Sequence, residues 1–409
     1  MLTLTVVLFV VATAVAWKRL APLHPAQLWL TAWSLALGLF ALQLLPYKSL
    51  ADKTLVLIVI ASAAFVGAAC LASRMTRTQR TAAGARQVEW AAGALLVVAL
   101  VGCALFVVQA VVNVGIRDAL LTSPTVRQAV QAGEYALTIK YVYVALAAAA
   151  MCGVAAGLLP ARRGRWLIAA GMAVACIYFA TGRATVVVAG VAAAVGFLVA
   201  ADVRLSLRRV LVGAIAAGLL SLTVFSVMGQ IIGKTYENSD LVTVRSFFTE
   251  HPSAELLATP YMYATAPIGA LNVLVRNPPA DRSDGCAMLS AVCSALSWAG
   301  VQTRPLRPVR PFTADPIAWN TYTALDDVIR DIGTPGVPVV FAALGLLCGW
   351  LWACARGGHP EAMAVYAVMS TAIVTSAGSN SFAAAHVLGA VTFVLVSLAA
   401  AMVLAARRR

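Results

Sequence analysis

Apolar runs of about 20 residues recur along the chain, each long enough to cross a ~30 Å hydrocarbon core as a helix. They fall near 2–17, 28–46, 54–73, 88–113, 137–159, 166–181, 184–201, 210–232, 336–355, 362–378 and 385–405. Backbone in lipid must satisfy its own hydrogen bonds, so such runs fold as helices. They are continuous and not alternating, which excludes a membrane β-barrel. Of 409 residues, 61% are hydrophobic and 11% charged, against roughly 25% charged in a soluble domain. The expected fold is an all-α polytopic membrane protein of about 11 transmembrane helices. Residues 1–232 would hold helices 1–8, 233–335 a large external loop, and 336–409 helices 9–11.

The net charge is +14. In a soluble protein that would suggest nucleic acid. Here the charges read as markers of cytoplasmic loops, and no nucleic-acid partner is expected. The first apolar run, "MLTLTVVLFVVATAVAWKRL", has no positive charge before it. It therefore reads as an uncleaved first helix with its N-terminus outside. That orientation puts sixteen Lys and Arg in cytoplasmic segments, including the terminal Arg407, Arg408 and Arg409, and six at external helix ends. The reverse orientation would invert this bias. The segment 166–201 would be about 54 Å long as one helix, so "ATGRATV" must turn in its middle, at Thr181-Gly182, on the external side.

The external loop carries ten acids and eight bases. Within it, "ELLATPYMYATAPIGALNVLV" is apolar but interrupted by Pro260 and Pro267. The expectation is re-entrant or interfacial amphipathic helices, with Tyr261 and Tyr263 at the headgroup level. Cys286 and Cys293 also lie here. An oxidising compartment would permit a disulfide; a helical segment would hold them two turns apart, about 10 Å, and forbid it. No C-x-x-C, H-E-x-x-H or P-loop occurs and the four histidines are scattered, so neither a metal nor another cofactor is expected.

The most polar stretch is "NTYTALDDVIRDIGTPG", 320–336. Asp315-Pro316 reads as a helix start and "IGTPG" as its stop. Asn320, Thr323, Asp327, Arg330 and Asp331 then share one face, while Tyr322, Leu325, Val328, Ile329 and Ile332 take much of the rest. That stripe is either a solvated face or the polar wall of a substrate cavity at the membrane surface. Arg183 is flanked by almost purely apolar helices. It either snorkels to ordinary lipid phosphates or holds a specific anionic group in bidentate fashion. "TRPLRPVRP" adds Arg304, Arg307 and Arg310 as an extended basic arm.

Three of these elements resemble the Wzy-type oligosaccharide repeat-unit polymerases of O-antigen and exopolysaccharide synthesis. "ATGRATV" is similar to that family's Gly/Ser-Arg turn between two central spans. "YMYATAPIGALN" is similar to a Tyr- and Pro-containing segment of its large external loop. "NTYTALDDVIRDIGTPG" leading into "FAALGLLCGWL" is similar to an Asn-x-x-Thr … Asp-aromatic-Gly-x-x-Gly pattern before a late span, with Ile332 where an aromatic is common.

The resemblance implies a metal-independent, GT-C-like glycosyltransferase of the bacterial inner membrane, with its C-terminus cytoplasmic. It would transfer a growing glycan from undecaprenyl diphosphate onto a new lipid-linked repeat unit at the periplasmic face. Its partners would be those lipid-linked glycans, the bilayer and a chain-length regulator protein. Arg183, with Arg245 and Arg276, would stabilise the departing diphosphate, and Arg330 adds further positive charge. Asp331, Asp327 or Glu250 would act as base toward the acceptor hydroxyl. Asn320, Thr323 and Tyr263 would bind sugars. Two alternatives use related features. An O-antigen ligase would share the donor but commonly has a histidine in the large loop, where only His251 stands here. A lipid-linked oligosaccharide flippase would perform no chemistry and would tend to show internal repeats.

Overall fold

The computed structural model describes residues 1–45, 47–76, 84–120, 126, 129–130, 134–135, 138–179, 183–203, 255–278, 286–289, 292–293, 296, 300–301, 313–314, 318–319, 322–379, 381–382 and 384–407. Backbone alone is described at 118, 120, 183–184, 255–260, 313–314 and 318–319. The principal helices are α1 (Leu2–Arg19), α2 (Pro25–Ala41), α3 (Asp52–Met75), α4 (Ala85–Val114), α5 (Tyr141–Leu158) and α6 (Arg163–Tyr178). They continue with α7 (Arg183–Ala200), α8 (Glu255–Arg276), α9 (Ala324–Ile332), α10 (Gly336–Arg356), α11 (Pro360–Thr375) and α12 (Ala385–Arg407). Among the described residues the strand content is one antiparallel pair, Thr313–Ala314 with Ala318–Trp319.

Six described helices are long and apolar enough to cross a membrane: α1, α3, α4, α5 with its leading turn, α10 and α12. Helices α2, α6, α7 and α11 coincide with four more expected spans but have only 16 to 18 residues. The expected span 210–232 lies outside the described residues. Helix α6 ends at Tyr178 and α7 begins at Arg183; the turn expected at Thr181-Gly182 lies outside the described residues.

The chain divides into two compact units. The first comprises Met1–Arg77, Ser239–Trp350 and Ala372–Ala385. Its core is aromatic. Trp29 stacks on Phe65 with ring centroids 4.4 Å apart and tilts against Phe341 at 5.3 Å. Two buried indole N–H groups of this core find hydroxyls: Trp29 donates to Ser62 Oγ and Trp33 to Ser376 Oγ, both at 3.0 Å. Entry into α2 is fixed by a reciprocal cap. His24 Nδ1 accepts from Ala26 N, and the His24 N–H donates to Gln27 Oε1, with Pro25 at the first helical position. Gln27 Nε2 donates to the Ala16 and Leu20 carbonyls and so ties α2 to the end of α1.

The second unit comprises Thr78–Asn238, Leu351–Thr371 and His386–Arg409. Helix α5 is its centre and packs against α4, α6 and α7. The run "YVYVALAAAAMCGVAAG" has small side chains on every face, so neighbouring helices can approach from all sides. A Cβ on Gly153 would lie 2.2 Å from the Ala193 carbonyl oxygen, and one on Gly157 2.8 Å from that of Phe197. Here α5 and α7 meet backbone to backbone. The first unit repeats the device between α10 and α3, where Gly345 and Gly349 face the carbonyl oxygens of Phe65 and Ala69, each 2.3 Å from the would-be Cβ.

Two local expectations change. Pro260 and Pro267 do not break their segment, because α8 runs continuously from Glu255 to Arg276. Pro267 cannot donate to the Tyr263 carbonyl four residues back, and that oxygen instead faces Gly378, 3.4 Å from where a Cβ there would sit. Nor does the acidic helix begin at Asp315-Pro316. It begins at Ala324, after the short strand Ala318–Trp319. The local reason is Thr323, whose hydroxyl accepts from Leu325 N and donates to Asp326 Oδ2 at 2.6 Å. This N-cap is worth about 1 kcal/mol. The expected stop holds: Gly333 follows with φ of 79°, a conformation only glycine adopts freely.

Candidate functional site

The described candidate residues of the first unit gather on two packed helices, α8 and α9. Helix α9 is short, acidic and almost wholly buried. Asp326 and Asp327 are 0% exposed and Asp331 5%. The solvated-face reading of the polar stripe is thereby set aside. The two aspartates of the first turn and Arg330 in the last suit the helix dipole. Buried carboxylates still need partners. Asp326 has the Thr323 hydroxyl. Asp331 accepts from two successive backbone amides, Ala287 N at 3.2 Å and Met288 N at 2.7 Å. The Arg330 guanidinium lies 4.9 Å over the Tyr322 ring, and Tyr322 itself is buried.

The amides that hold Asp331 belong to a closed loop. Cys286 and Cys293 form a disulfide with Cα atoms 5.7 Å apart. Residues 286–289 are in turns, which brings the pair within bonding range where a helix would have separated it. At its other end α9 is tied by Ala324 N donating to the Ser376 carbonyl at 2.8 Å.

Helix α8 contributes Tyr263, half-buried, and Arg276, exposed, whose guanidinium donates to the Ser49 carbonyl at 2.7 Å. The rest of its polar face rivets the 44–54 segment. Tyr261 Oη accepts from Leu44 N at 3.1 Å. Thr265 donates to the Tyr261 carbonyl and meets Tyr47 Oη at 2.8 Å. Asn272 Oδ1 accepts from Ala51 N and Thr54 Oγ1, while its Nδ2 donates to the Ser49 carbonyl. Asn272 and Asp326 were not among the expected site residues. The signal for Asn272 was available as one amide inside the apolar "GALNVLV".

Thr323, Asp327, Arg330 and Asp331 are therefore brought onto one helix, beside the helix of Tyr263 and Arg276. Arg183 opens α7 in the second unit. Glu250, Arg245 and Asn320 lie outside the described residues. Several of these side chains already serve the structure: Thr323 caps, Arg276 straps a loop carbonyl and Asp331 holds the disulfide loop. Among the described residues no three His, Cys, Asp or Glu are grouped to hold a metal ion. Comparison with protein-family models, with curated proteins and with solved structures finds no match.

Proposed function

We propose that this chain is a membrane glycosyltransferase that polymerises undecaprenyl-diphosphate-linked oligosaccharide repeat units at the periplasmic face of the bacterial inner membrane. The observation that carries the reading is α9: a nine-residue helix with three buried carboxylates and an arginine, three residues before an apolar helix long enough to span a bilayer. Ionisable groups buried beside membrane spans are functional candidates by default.

In the proposed reaction a hydroxyl of the incoming repeat unit attacks the anomeric carbon of the growing glycan. The bond from that carbon to the diphosphate oxygen breaks, and undecaprenyl diphosphate leaves. A carboxylate takes the hydroxyl proton, and arginine meets the charge that develops on the leaving group. Asp327, Glu250 and Asp331 are the candidate bases, and both oxygens of Asp331 accept from backbone amides. Arg183 is the first choice for the diphosphate.

The test is purified protein with synthetic undecaprenyl-diphosphate oligosaccharides in the presence of EDTA. A ladder of longer lipid-linked glycans is expected. Arg183→Ala and Asp327→Asn should each lower turnover on the order of 100-fold or more. Absence of a ladder with any cognate substrate, together with lipid translocation in proteoliposomes, would replace the polymerase by a flippase. A ladder that survives Arg183→Ala would keep the activity and move the diphosphate site elsewhere.

A further inference from the structure

Helix α9 has nine residues, well below the length at which a helix holds itself together in isolation. Its position therefore depends on burial against the rest of the fold and on hydrogen bonds to it, two sets of which lie at its ends. One is Ala324 N to the Ser376 carbonyl. The other is Asp331 to the loop closed by Cys286–Cys293. Two successive backbone N–H groups pointing at one carboxylate form a small anion-binding concavity. Hydrogen bonds to a charged acceptor are stronger than neutral ones. The disulfide spans only eight residues and restricts the loop to conformations that can present both amides together.

We propose that Asp331 is a positioning residue, and that its carboxylate and the Cys286–Cys293 loop act as one latch that sets α9, and with it Asp327, in place. Oxidised, the loop presents the Ala287 and Met288 amides to Asp331. Reduced, it loses that constraint and α9 loses this tie. Reduction by a dithiol such as dithiothreitol adds two electrons and two protons to the protein pair, giving two thiols, while the reagent closes to its cyclic disulfide. The effect on turnover rests on the glycosyltransfer reading; the latch itself does not.

The experiment is hydrogen exchange on the full-length protein in lipid nanodiscs, following peptides over 286–293 and 324–332. Wild type is compared with Asp331→Asn, with Cys286→Ser/Cys293→Ser and with the triple variant. Asparagine keeps one acceptor oxygen but turns an N–H donor toward an amide that is itself a donor. Asp331→Asn and the double serine variant should each speed exchange in both segments by on the order of tenfold, as loss of hydrogen bonds to a charged group implies. The triple variant should exchange no faster than the faster of the two, since one latch can be lost only once. Dithiothreitol should bring wild type to the level of the double serine variant and leave that variant unchanged. Unchanged exchange over 286–293 in Asp331→Asn, or additive effects in the triple variant, would overturn the latch.

Turnover gives the second readout. Asp331→Asn and the double serine variant should lower kcat by a similar factor, retain the wild-type pH profile, and Asp331→Glu should recover part of the loss. Loss of the acidic limb of the profile in Asp331→Asn alone would make Asp331 the base and overturn its positioning role. If exchange couples as expected while wild type makes no polymer, the latch stands and the polymerase reading falls.

Discussion

Asn272 stands in an apolar stretch of α8, 0% exposed, and its one amide serves Ala51 N, Thr54 Oγ1 and the Ser49 carbonyl. Asn272→Leu keeps the volume roughly and strands all three groups. The expected loss is about 1–3 kcal/mol for each group that water cannot reach, read as a lower thermal midpoint in detergent. His24 offers a test in pH. It is 2% exposed, its Nδ1 accepts from Ala26 N and its Nε2 meets Ser73 Oγ at 3.0 Å. Burial lowers its pKa from 6.5 to about 4. A base with a depressed folded pKa is neutral in the fold, so its contribution is fully present above pH 6.5. That contribution is lost as pH falls toward 4. The wild-type thermal midpoint should drop across that window. His24→Asn, which keeps a capping acceptor but does not titrate, should flatten the drop; an unchanged slope would remove His24 as its source.

At the level of elements, the glycine seams make a paired prediction. Gly153→Ala drives a Cβ to 2.2 Å from the Ala193 carbonyl, whereas a Cβ on Gly171 meets nothing within 4 Å. Overpacking should cost Gly153→Ala about 1–3 kcal/mol, while Gly171→Ala should gain up to about 1 kcal/mol from helix propensity alone. A lower midpoint in the first and an equal or higher one in the second is the expected pattern. The two seams are written in the sequence as "GVAAG" and "GLLCG", but spacing alone does not name the partner helix. Six of the expected spans were legible as helices long and apolar enough to cross a membrane, because length and apolarity decide them and little competes. The start of α9 was not. Asp315-Pro316 is a strong local signal, and the Thr323 cap eight residues later outweighs it. The continuity of α8 was hidden for a related reason: proline forbids one hydrogen bond locally, and only the fold reveals what lies opposite the Tyr263 carbonyl. Of the site, the clustering of Thr323, Asp327, Arg330 and Asp331 could be read from spacings of three and four. The partners of Asp331 could not, since they lie 43 and 44 residues away.

For the whole molecule the charge bias predicts a topology that fusions can check. Alkaline phosphatase inserted near residue 283 should be active outside the membrane, and inserted near residue 80 it should be inactive. A fluorescent protein after Arg409 should fold and fluoresce in the cytoplasm. The opposite pattern would invert the chain and place α9 on the cytoplasmic side, where lipid-linked repeat units are not joined in the proposed scheme.

The bond from Trp33 Nε1 to Ser376 Oγ joins residues 343 positions apart. It closes a unit assembled from the beginning, the middle and the last part of the chain. At roughly 5–20 residues per second of synthesis, the two partners leave the ribosome roughly 17 to 69 s apart. Helix α2 therefore enters the membrane long before its indole can meet that hydroxyl. The second unit gathers most of α4 to α7 early, from contiguous chain. The unit that carries α9 cannot make this contact until synthesis has passed Ser376, and a chain interrupted before that residue lacks both the partner of Trp33 and the carbonyl that accepts from Ala324 N.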